Sequence, residues 1–183
     1  MATINKDIFS HFPIDYNGPI WEKLTRLDFS KKTRLTRDIL CFLEEGVVRK
    51  YYLSIEPEYN RDLSVEFYFS GDIFTAKADN DIEQQFFYQP ISSGTLWYID
   101  MAEVRKMFFE SALCSATQKF FMEQRLRDKS IREIQLLKTS PLDLYNYLLE
   151  HKPQYIQSVP MKYLASYIGI TPQALSRIRR KIS

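Results

Sequence analysis

The chain has 183 residues, of which 45% are hydrophobic and 26% are charged, and it contains only five glycines. These values are typical of a globular protein and exclude a disordered or fibrous chain. No run approaches the roughly 18 apolar residues that a membrane-spanning helix needs, and the first residues lack the order of a signal peptide. We therefore expect a soluble cytoplasmic protein of two domains, without a membrane partner.

The charges of the chain are distributed unevenly, although the net charge is only +2. Residues 1–100 hold 11 Lys/Arg against 16 Asp/Glu, whereas residues 101–183 hold 14 against 7. From residue 151 onward there are six Lys/Arg and no acidic residue. Because a local positive field attracts polyanions, this distribution indicates a nucleic-acid partner for the C-terminal part.

Short strands rich in aromatic and β-branched residues are predicted after an irregular stretch of about 19 residues. They lie at residues 39–43, 47–53, 63–69 and 95–99. The first two strands, joined by a turn at Gly46, are predicted to form a β-hairpin, and the third ends in a turn at Gly71. Several short antiparallel strands at this spacing predict a small roll or sandwich.

From Asp100 onward the hydrophobic period becomes that of a helix. Residues 101–137 lack Gly and Pro and predict one long amphipathic helix, with Asp100 as its N-cap. One stripe of this helix consists of Val104, Phe108, Ala112 and Ser115. Such a stripe fits packing on the helix's own domain as well as on a partner chain. The length of roughly 45 Å exceeds what a small roll can cover and favours a homodimer. A shorter helix is predicted at residues 142–150, capped by Ser140.

Residues 160–182 have the strongest functional signal and predict a helix-turn-helix. Gly169 supplies the positive φ of the turn, and Ala165 is the small residue at the helix crossing. The predicted shared core consists of apolar residues, namely Leu164, Ile168, Ile170, Leu175 and Ile178. Thr171 is placed to cap the second helix and Pro172 to begin it. A plain basic helical hairpin is the alternative, but the agreement of core, turn and cap favours the helix-turn-helix.

The outward face of the second helix is predicted to contact DNA. With the apolar residues turned inward, Gln173 and Arg177 lie outside, one turn apart, and these side chains can pair with adenine and guanine. Lys162, Arg179 and Lys181 are either solvated charges or phosphate contacts. The full predicted set is Lys162, Thr171, Pro172, Gln173, Ser176, Arg177, Arg179, Arg180 and Lys181.

Residues 159–179 follow the pattern Val-Pro-x-x-x-Leu-Ala-Ser-Tyr-Leu-Gly-Ile-Thr-x-x-x-Leu-Ser-Arg-Ile-Arg almost residue for residue. The chain thereby resembles the Crp/Fnr superfamily, and residues 42–49 and 69–74 are similar to strands and turns of its sensor. By this resemblance Arg177 matches the family's base-contacting arginine, and Gln173 stands where many relatives have glutamate. Glutamine both donates and accepts hydrogen bonds, so we expect a changed base preference.

The resemblance implies an α+β protein with three parts. These are an N-terminal antiparallel β-roll of the cyclic-nucleotide-binding-like jelly-roll type (residues 1–100), a long dimerisation helix (residues 101–137) and a helix-turn-helix DNA-binding domain (residues 138–183). The implied function is sequence-specific transcription regulation by a homodimer that inserts the helix at residues 171–182 into the major groove of a two-fold operator. Double-stranded DNA, RNA polymerase and an unknown small-molecule effector are the implied partners.

The sensor departs from the family pattern where a cyclic phosphate would bind. The family needs an arginine there to neutralise the phosphate, but residues 74–99 contain no Arg and only one Lys, Lys77, beside several acidic residues. We therefore do not expect a cyclic nucleotide to be the effector. The neighbouring Phe86, Phe87 and Tyr88 could line an apolar pocket, but core and edge packing is favoured.

Two other classes of function fit this sequence less well. An enzyme of the small β-roll type needs a metal held by two or three histidines, whereas His11 and His151 are the only two and lie 140 residues apart. No cofactor is predicted, and Cys41 and Cys114 are expected to be buried inert thiols. A degenerate protein-interaction module without DNA reading is the remaining alternative, and the retention of Arg177 and of the Thr171 cap argues against it.

Overall fold

Two antiparallel sheets make up the N-terminal half of the computed structural model, which describes residues 3–12, 14–15, 17–53, 62–76, 86–110 and 112–182. The strands in these residues are β1 (Thr25–Phe29), β2 (Ile39–Glu45), β3 (Val48–Leu53), β4 (Asp62–Tyr68), β5 (Ile73–Ala76), β6 (Phe86–Pro90) and β7 (Gly94–Asp100). One sheet has the order β1-β7-β2-β5 and the other the order β4-β3-β6. This arrangement confirms the predicted antiparallel roll.

The core of the roll lies between the two sheets. Successive side chains of a strand point to opposite faces, so only alternate residues face the other sheet. Val48, Tyr68 and Tyr88 of the three-stranded sheet pack here against residues such as Leu43 and Leu96 of the four-stranded sheet. Tyr88 is therefore a core residue at the edge strand β6, in agreement with the packing interpretation of the aromatic run.

The predicted hairpin of residues 39–43 and 47–53 is wrong, although both strands exist, as β2 and β3. β2 pairs with β5 and β7, whereas β3 pairs with β4 and β6. The chain passes from one sheet to the other at Gly46, where φ is 102°. Crossing between the sheets lets Leu43 and Val48 enter the core from opposite sides.

The N-terminal segment covers the outer face of the four-stranded sheet. It contains two 3₁₀ turns, Lys6–Phe9 and Trp21–Lys23, where an irregular stretch was predicted. The rings of Phe9 and Trp21 lie 5.5 and 5.3 Å from the ring of Phe42 on β2. Strand β1, which follows, was missed because it is a mostly exposed edge strand with little apolar alternation in its sequence.

The second half of the chain is helical. The described helices are α1 (Met101–Glu110), α2 (Ala112–Lys138), α3 (Pro141–His151), α4 (Pro153–Ser158), α5 (Met161–Ile168) and α6 (Pro172–Ile182). The predicted long helix corresponds to α1 and α2, which lie on either side of Ser111, a residue outside the described ranges. Ser140 caps α3 as predicted, since its hydroxyl accepts from the Asp143 amide at 3.2 Å.

Helix α4 was missed in the sequence, where Pro153 indicated only the end of the preceding helix. A proline is also favourable at the first position of a helix, because the amide hydrogen that it lacks would have no partner there.

Among the helices that the structure describes, none combines the length and apolarity needed to cross a lipid bilayer.

The C-terminal helices share a hydrophobic core with the roll. Phe67, which points away from the roll interior, lies with its ring centroid 5.5 Å from those of Tyr155 and Tyr167. Val47 and Ile91 belong to the same cluster. Because α5 packs directly on the outer face of the β4-β3-β6 sheet, the roll determines where the helix-turn-helix lies.

Cys41 is fully buried in the core between the sheets. Burial raises the pKa of its thiol far above the ordinary range, so the reactive thiolate does not form near neutral pH. This confirms the prediction of an inert thiol at Cys41, whereas the side chain of Cys114 lies outside the described residues.

Gly94 tests the packing at the start of β7. A Cβ atom at this position would overlap the backbone carbonyl of Glu45 and come within 2.8 Å of the Phe29 ring. We expect Gly94→Ala to lower the free energy of unfolding by about 3 kcal/mol, because backbone cannot yield as a flexible side chain can. Urea denaturation measures this loss. The exposed neighbour Ser93, changed to Ala, is the control and should alter stability by less than about 0.5 kcal/mol.

Candidate nucleic-acid interface

The turn between α5 and α6 is built on Gly169. This residue adopts φ 85° and ψ 25°, in the left-handed region that favours glycine. Its amide donates to the Ser166 carbonyl at 3.2 Å, and the amide of Ile170 donates to the Ala165 carbonyl at 3.0 Å. These two bonds satisfy the end of α5 in the manner of a Schellman motif and confirm the predicted turn.

The two helices cross over the small, fully buried side chain of Ala165. Leu164, Ile168 and Leu175 are buried in the same cluster, and Ile170 and Ile178 pack against it while partly exposed. All five predicted core residues therefore lie under the crossing, as a helix-turn-helix requires.

The first turn of α6 is capped as predicted. The Thr171 hydroxyl accepts a hydrogen bond from the Ala174 amide at 3.2 Å, and Pro172 is the first helical residue. Leu175, with none of its surface exposed, turns one face of α6 into the core. The orientation of the remaining side chains follows from this contact, because a helix has only one opposite face.

That opposite face of α6 is polar and basic. Gln173, Arg177 and Arg180 are exposed there at spacings of four and three residues, and Ser176 beside them is half-buried. No acidic residue lies in α6, and its last turn holds three cations. The face thus offers amide and guanidinium donors, and no carboxylate of the same helix neutralises them.

The other predicted DNA contacts are also on the surface. Arg179 and Lys181 are exposed near the end of α6, and Lys162 is exposed at the start of α5 with its Nζ 4.4 Å from the Tyr163 ring. Lys162 therefore belongs to the first helix and not to the outward face of α6. A phosphate contact at Lys162 remains a prediction.

Polar contacts that the sequence analysis missed hold α5 on the roll. The Ser166 hydroxyl accepts from the Ser64 amide at 2.9 Å and donates to the Asp62 carbonyl at 3.2 Å. Arg132 of α2 donates to the carbonyl oxygens of Val65 and Tyr167 at 2.5 and 3.3 Å. Nothing in the local sequence distinguishes these residues from ordinary surface serine and arginine, because their partners lie far along the chain.

Comparison with solved structures identifies the architecture, whereas no protein-family profile and no curated protein sequence matches the chain. FixK2 from Bradyrhizobium japonicum superposes with a TM-score of 0.72 at 14% identity, over 87% of this chain and 84% of that one. A CooA mutant from Carboxydothermus hydrogenoformans gives 0.68 at 15% identity, over 98% and 84%. A crp/fnr-family putative transcriptional regulator from Eubacterium rectale gives 0.66 at 18% identity, over 99% and 83%.

The chain has the Crp/Fnr fold. The β-roll, the long helical segment and the C-terminal helix-turn-helix occur in the order that the sequence resemblance implies. The α+β class and the jelly-roll-like β-domain are thereby confirmed.

Within this Crp/Fnr fold the predicted dimerisation residues have different surroundings. Val104 is only 2% exposed, and it belongs to α1, which lies against β2 and β7 of its own chain. It therefore has little surface left for a partner, a correction to its predicted role. The side chains of Phe108, Ala112 and Ser115 lie outside the described residues, and their contacts with a partner stay a prediction.

The predicted lack of an arginine for a cyclic phosphate concerns residues 74–99, of which the structure does not describe residues 77–85. The prediction concerning Lys77 and its acidic neighbours lies outside the described residues. Phe86 and Phe87, which follow, are half-buried on β6.

The cap of α6 can be tested by its contribution to stability. We expect Thr171→Ala to lower the free energy of unfolding by about 1 kcal/mol, because the Ala174 amide loses its acceptor. Thermal or urea unfolding measures the change. Thr171→Ser retains the hydroxyl and should keep most of the stability. Equal losses in the two variants would contradict the capping role and assign the effect to the lost methyl group.

Proposed function

We propose that this protein is a DNA-binding transcription regulator that acts as a homodimer and inserts the helix at residues 171–182 into the major groove of a two-fold operator. The observation that carries the proposal is the outward face of α6. Its exposed Gln173, Arg177 and Arg180 stand opposite Leu175, which anchors the helix in the core. A rigidly supported helix with these side chains on its free face has the chemistry of base-edge recognition.

The charge of the C-terminal part supports the same partner. Residues 151–183 contain six Lys/Arg and no acidic residue, so phosphate groups meet no repulsion from a carboxylate of this segment. Contacts with phosphate determine register and orientation, whereas contacts with base edges select the sequence. The basic termini of the helices can contact phosphate groups, and the outward face of α6 can contact base edges.

A homodimer is supported by a surface on α2. Among the described side chains of α2, six large apolar ones are exposed in the single chain, and the four most exposed define this surface, namely Met122 (58%), Leu126 (62%), Ile134 (54%) and Leu137 (80%). Their spacings of four, eight and three residues place them along one broad side of the helix. Arg132 points instead toward the chain's own β4 and α5. A second copy of α2 would remove the apolar surface from water and pair two recognition helices.

The other parts of the proposal follow from this function. A regulator of transcription acts in the cytoplasm together with RNA polymerase, which we propose as a further partner. We propose no catalytic activity, and an effector other than a cyclic nucleotide.

Selection of bound oligonucleotides from a random pool tests the proposed function. We expect enrichment of a palindromic site whose half-sites are about one helical turn, or roughly 34 Å, apart. A palindrome would report both sequence reading and dimer symmetry. If no sequence is enriched, the protein-interaction module is favoured and the proposal fails.

Base reading is separated from phosphate binding by substitutions on α5 and α6. Arg177→Ala should cost roughly 1 to 3 kcal/mol per half-site and relax the preference at one base pair. Gln173→Glu should shift the preference at a neighbouring pair toward cytosine, because a carboxylate only accepts hydrogen bonds. Lys162→Ala should weaken all sequences alike and lower the salt slope by about one unit.

The measurement is binding to the selected operator and its single-base variants over a series of salt concentrations. Arg37→Ala, an exposed change on the roll that also removes one positive charge, is the control and should leave affinity and salt slope unchanged. Should Arg177→Ala weaken every variant equally and change only the salt slope, Arg177 contacts phosphate and the proposed placement of α6 is wrong.

The dimer is tested by a charge on the exposed side of α2. Leu126→Glu should raise the dissociation constant of the dimer at least about tenfold, because it places two carboxylates in an apolar interface. Gln135→Glu is the control, since it adds the same charge on the opposite side of the helix, about 180° from Leu126. Sedimentation equilibrium measures both. A wild-type protein that stays monomeric at tens of micromolar, with or without DNA, would contradict the homodimer.

A further inference from the structure

A groove of about 600 Å³ lies between residues 31–36 and strand β6 and reaches Tyr51 of β3. Its volume is in the range of sites that bind small molecules. Tyr51, Phe87 and Gln89, which line it, share the outer face of the three-stranded sheet with Arg49, because the strand register pairs Arg49 with Gln89 and Tyr51 with Phe87. These three side chains therefore face away from the core between the sheets, whereas Leu35 and Tyr88, which also line the groove, belong to that core.

One wall of the groove is basic. Lys31, Lys32 and Arg34 line it with exposed side chains, and none of them forms an ion pair within the described ranges. No carboxylate is among the described residues that line it. Three cations of this kind attract an anion, and a bound carboxylate or phosphate would accept charge-assisted hydrogen bonds from them.

The basic wall is held in place by its own segment. The Thr33 amide donates to the Ser30 carbonyl at 2.9 Å, and the Thr33 hydroxyl accepts from the Ser30 amide at 3.0 Å. The following Leu35 is buried in the core of the roll. Anchoring on both sides limits the motion of the three basic residues and fixes their distance from β6.

The facing wall is aromatic. The rings of Tyr51 and Phe87 are stacked, with centroids 5.4 Å apart and an interplanar angle of 27°. Phe87 remains half-buried at this edge of the sheet. A flat ring can extend such a stack, so the two walls together match a ligand that combines an aromatic ring with a negative charge.

Arg49 connects the groove to the helix-turn-helix. Its guanidinium, 1% exposed, donates to Oε1 of Gln89 at 2.8 Å and lies 4.3 Å from the Tyr51 ring, and both of these residues line the groove. On its other side the guanidinium lies 3.8 Å from the ring of Tyr163 on α5. A ligand that moves Tyr51 or Gln89 therefore changes the support of α5 through a single buried side chain.

We propose that this groove binds a small aromatic anion and that Arg49 transmits its occupancy to α5. The regulatory meaning of this coupling rests on the proposed function in DNA binding. Binding and coupling are both measured without DNA, so that either proposal can fail while the other stands.

Titration calorimetry with 2-naphthoate tests the site. We expect 2-naphthoate to bind at least about tenfold more tightly than 2-naphthamide, which lacks the charge, or acetate, which lacks the ring. The triple variant Lys31→Gln/Lys32→Gln/Arg34→Gln should lose the same factor.

The matched control removes three exposed cations from α2, as Lys119→Gln/Arg127→Gln/Lys129→Gln, and should bind 2-naphthoate as the wild type does. Absence of 2-naphthoate binding, or equal affinity in the groove variant and the wild type, overturns the site.

Hydrogen exchange tests the coupling. Saturation with 2-naphthoate should change the exchange rate of the amides of α5 in the wild type. The change should disappear in Tyr163→Leu, which removes the ring that contacts Arg49 but keeps an apolar side chain in the cluster. Calorimetry on this variant should still give wild-type affinity, which also shows that it is folded. Unchanged exchange in α5 of the saturated wild type, or an equal change in Tyr163→Leu, overturns the coupling.

Discussion

The packing of α5 against the outer face of the β4-β3-β6 sheet determines the position of the rest of the C-terminal part. Phe67 contributes its ring to the aromatic cluster with Tyr155 and Tyr167, and this burial of apolar surface drives the contact. From α5, the left-handed turn at Gly169 leads directly into α6. The direction of α6 is therefore determined by a sheet whose last strand ends at Pro90, far earlier in the sequence.

Two arginines, the buried Arg49 and the half-buried Arg132, make this contact specific. Arg49 pairs with Oδ2 of Asp62 at 2.6 Å and stacks on Tyr163, while Arg132 joins α2 to carbonyl oxygens of β4 and α5. Losing a contact to a guanidinium group is costly, and a shifted α5 would cost Arg132 its bond to the Tyr167 carbonyl and Arg49 its contact with the Tyr163 ring. The apolar cluster provides a non-directional attraction, whereas these two contacts depend on the position of α5.

This arrangement divides the surface into regions with separate tasks. The outward face of α6 stays free because Leu175 holds the opposite face in the core, and the exposed apolar side of α2 points away from Arg132 and its partners. Arg49 lies where the groove at β6 meets α5, so the sensor side and the proposed DNA side share one buried side chain. A small change at the groove has a direct physical route to the helix-turn-helix.

The sequence by itself determined the features that depend on near neighbours. The Ser140 and Thr171 caps, the turn at Gly169 and the inward residues of α6 all follow from contacts within a few positions, and each was predicted correctly. Only the tertiary structure decided that β2 and β3 belong to different sheets, because either strand could satisfy its backbone with several partners. The contact of Ser166 with the roll could not be predicted either, since its hydrogen bond to Ser64 spans 102 positions of the sequence. Local patterns record which face of an element is apolar, but they do not record which distant surface covers that face.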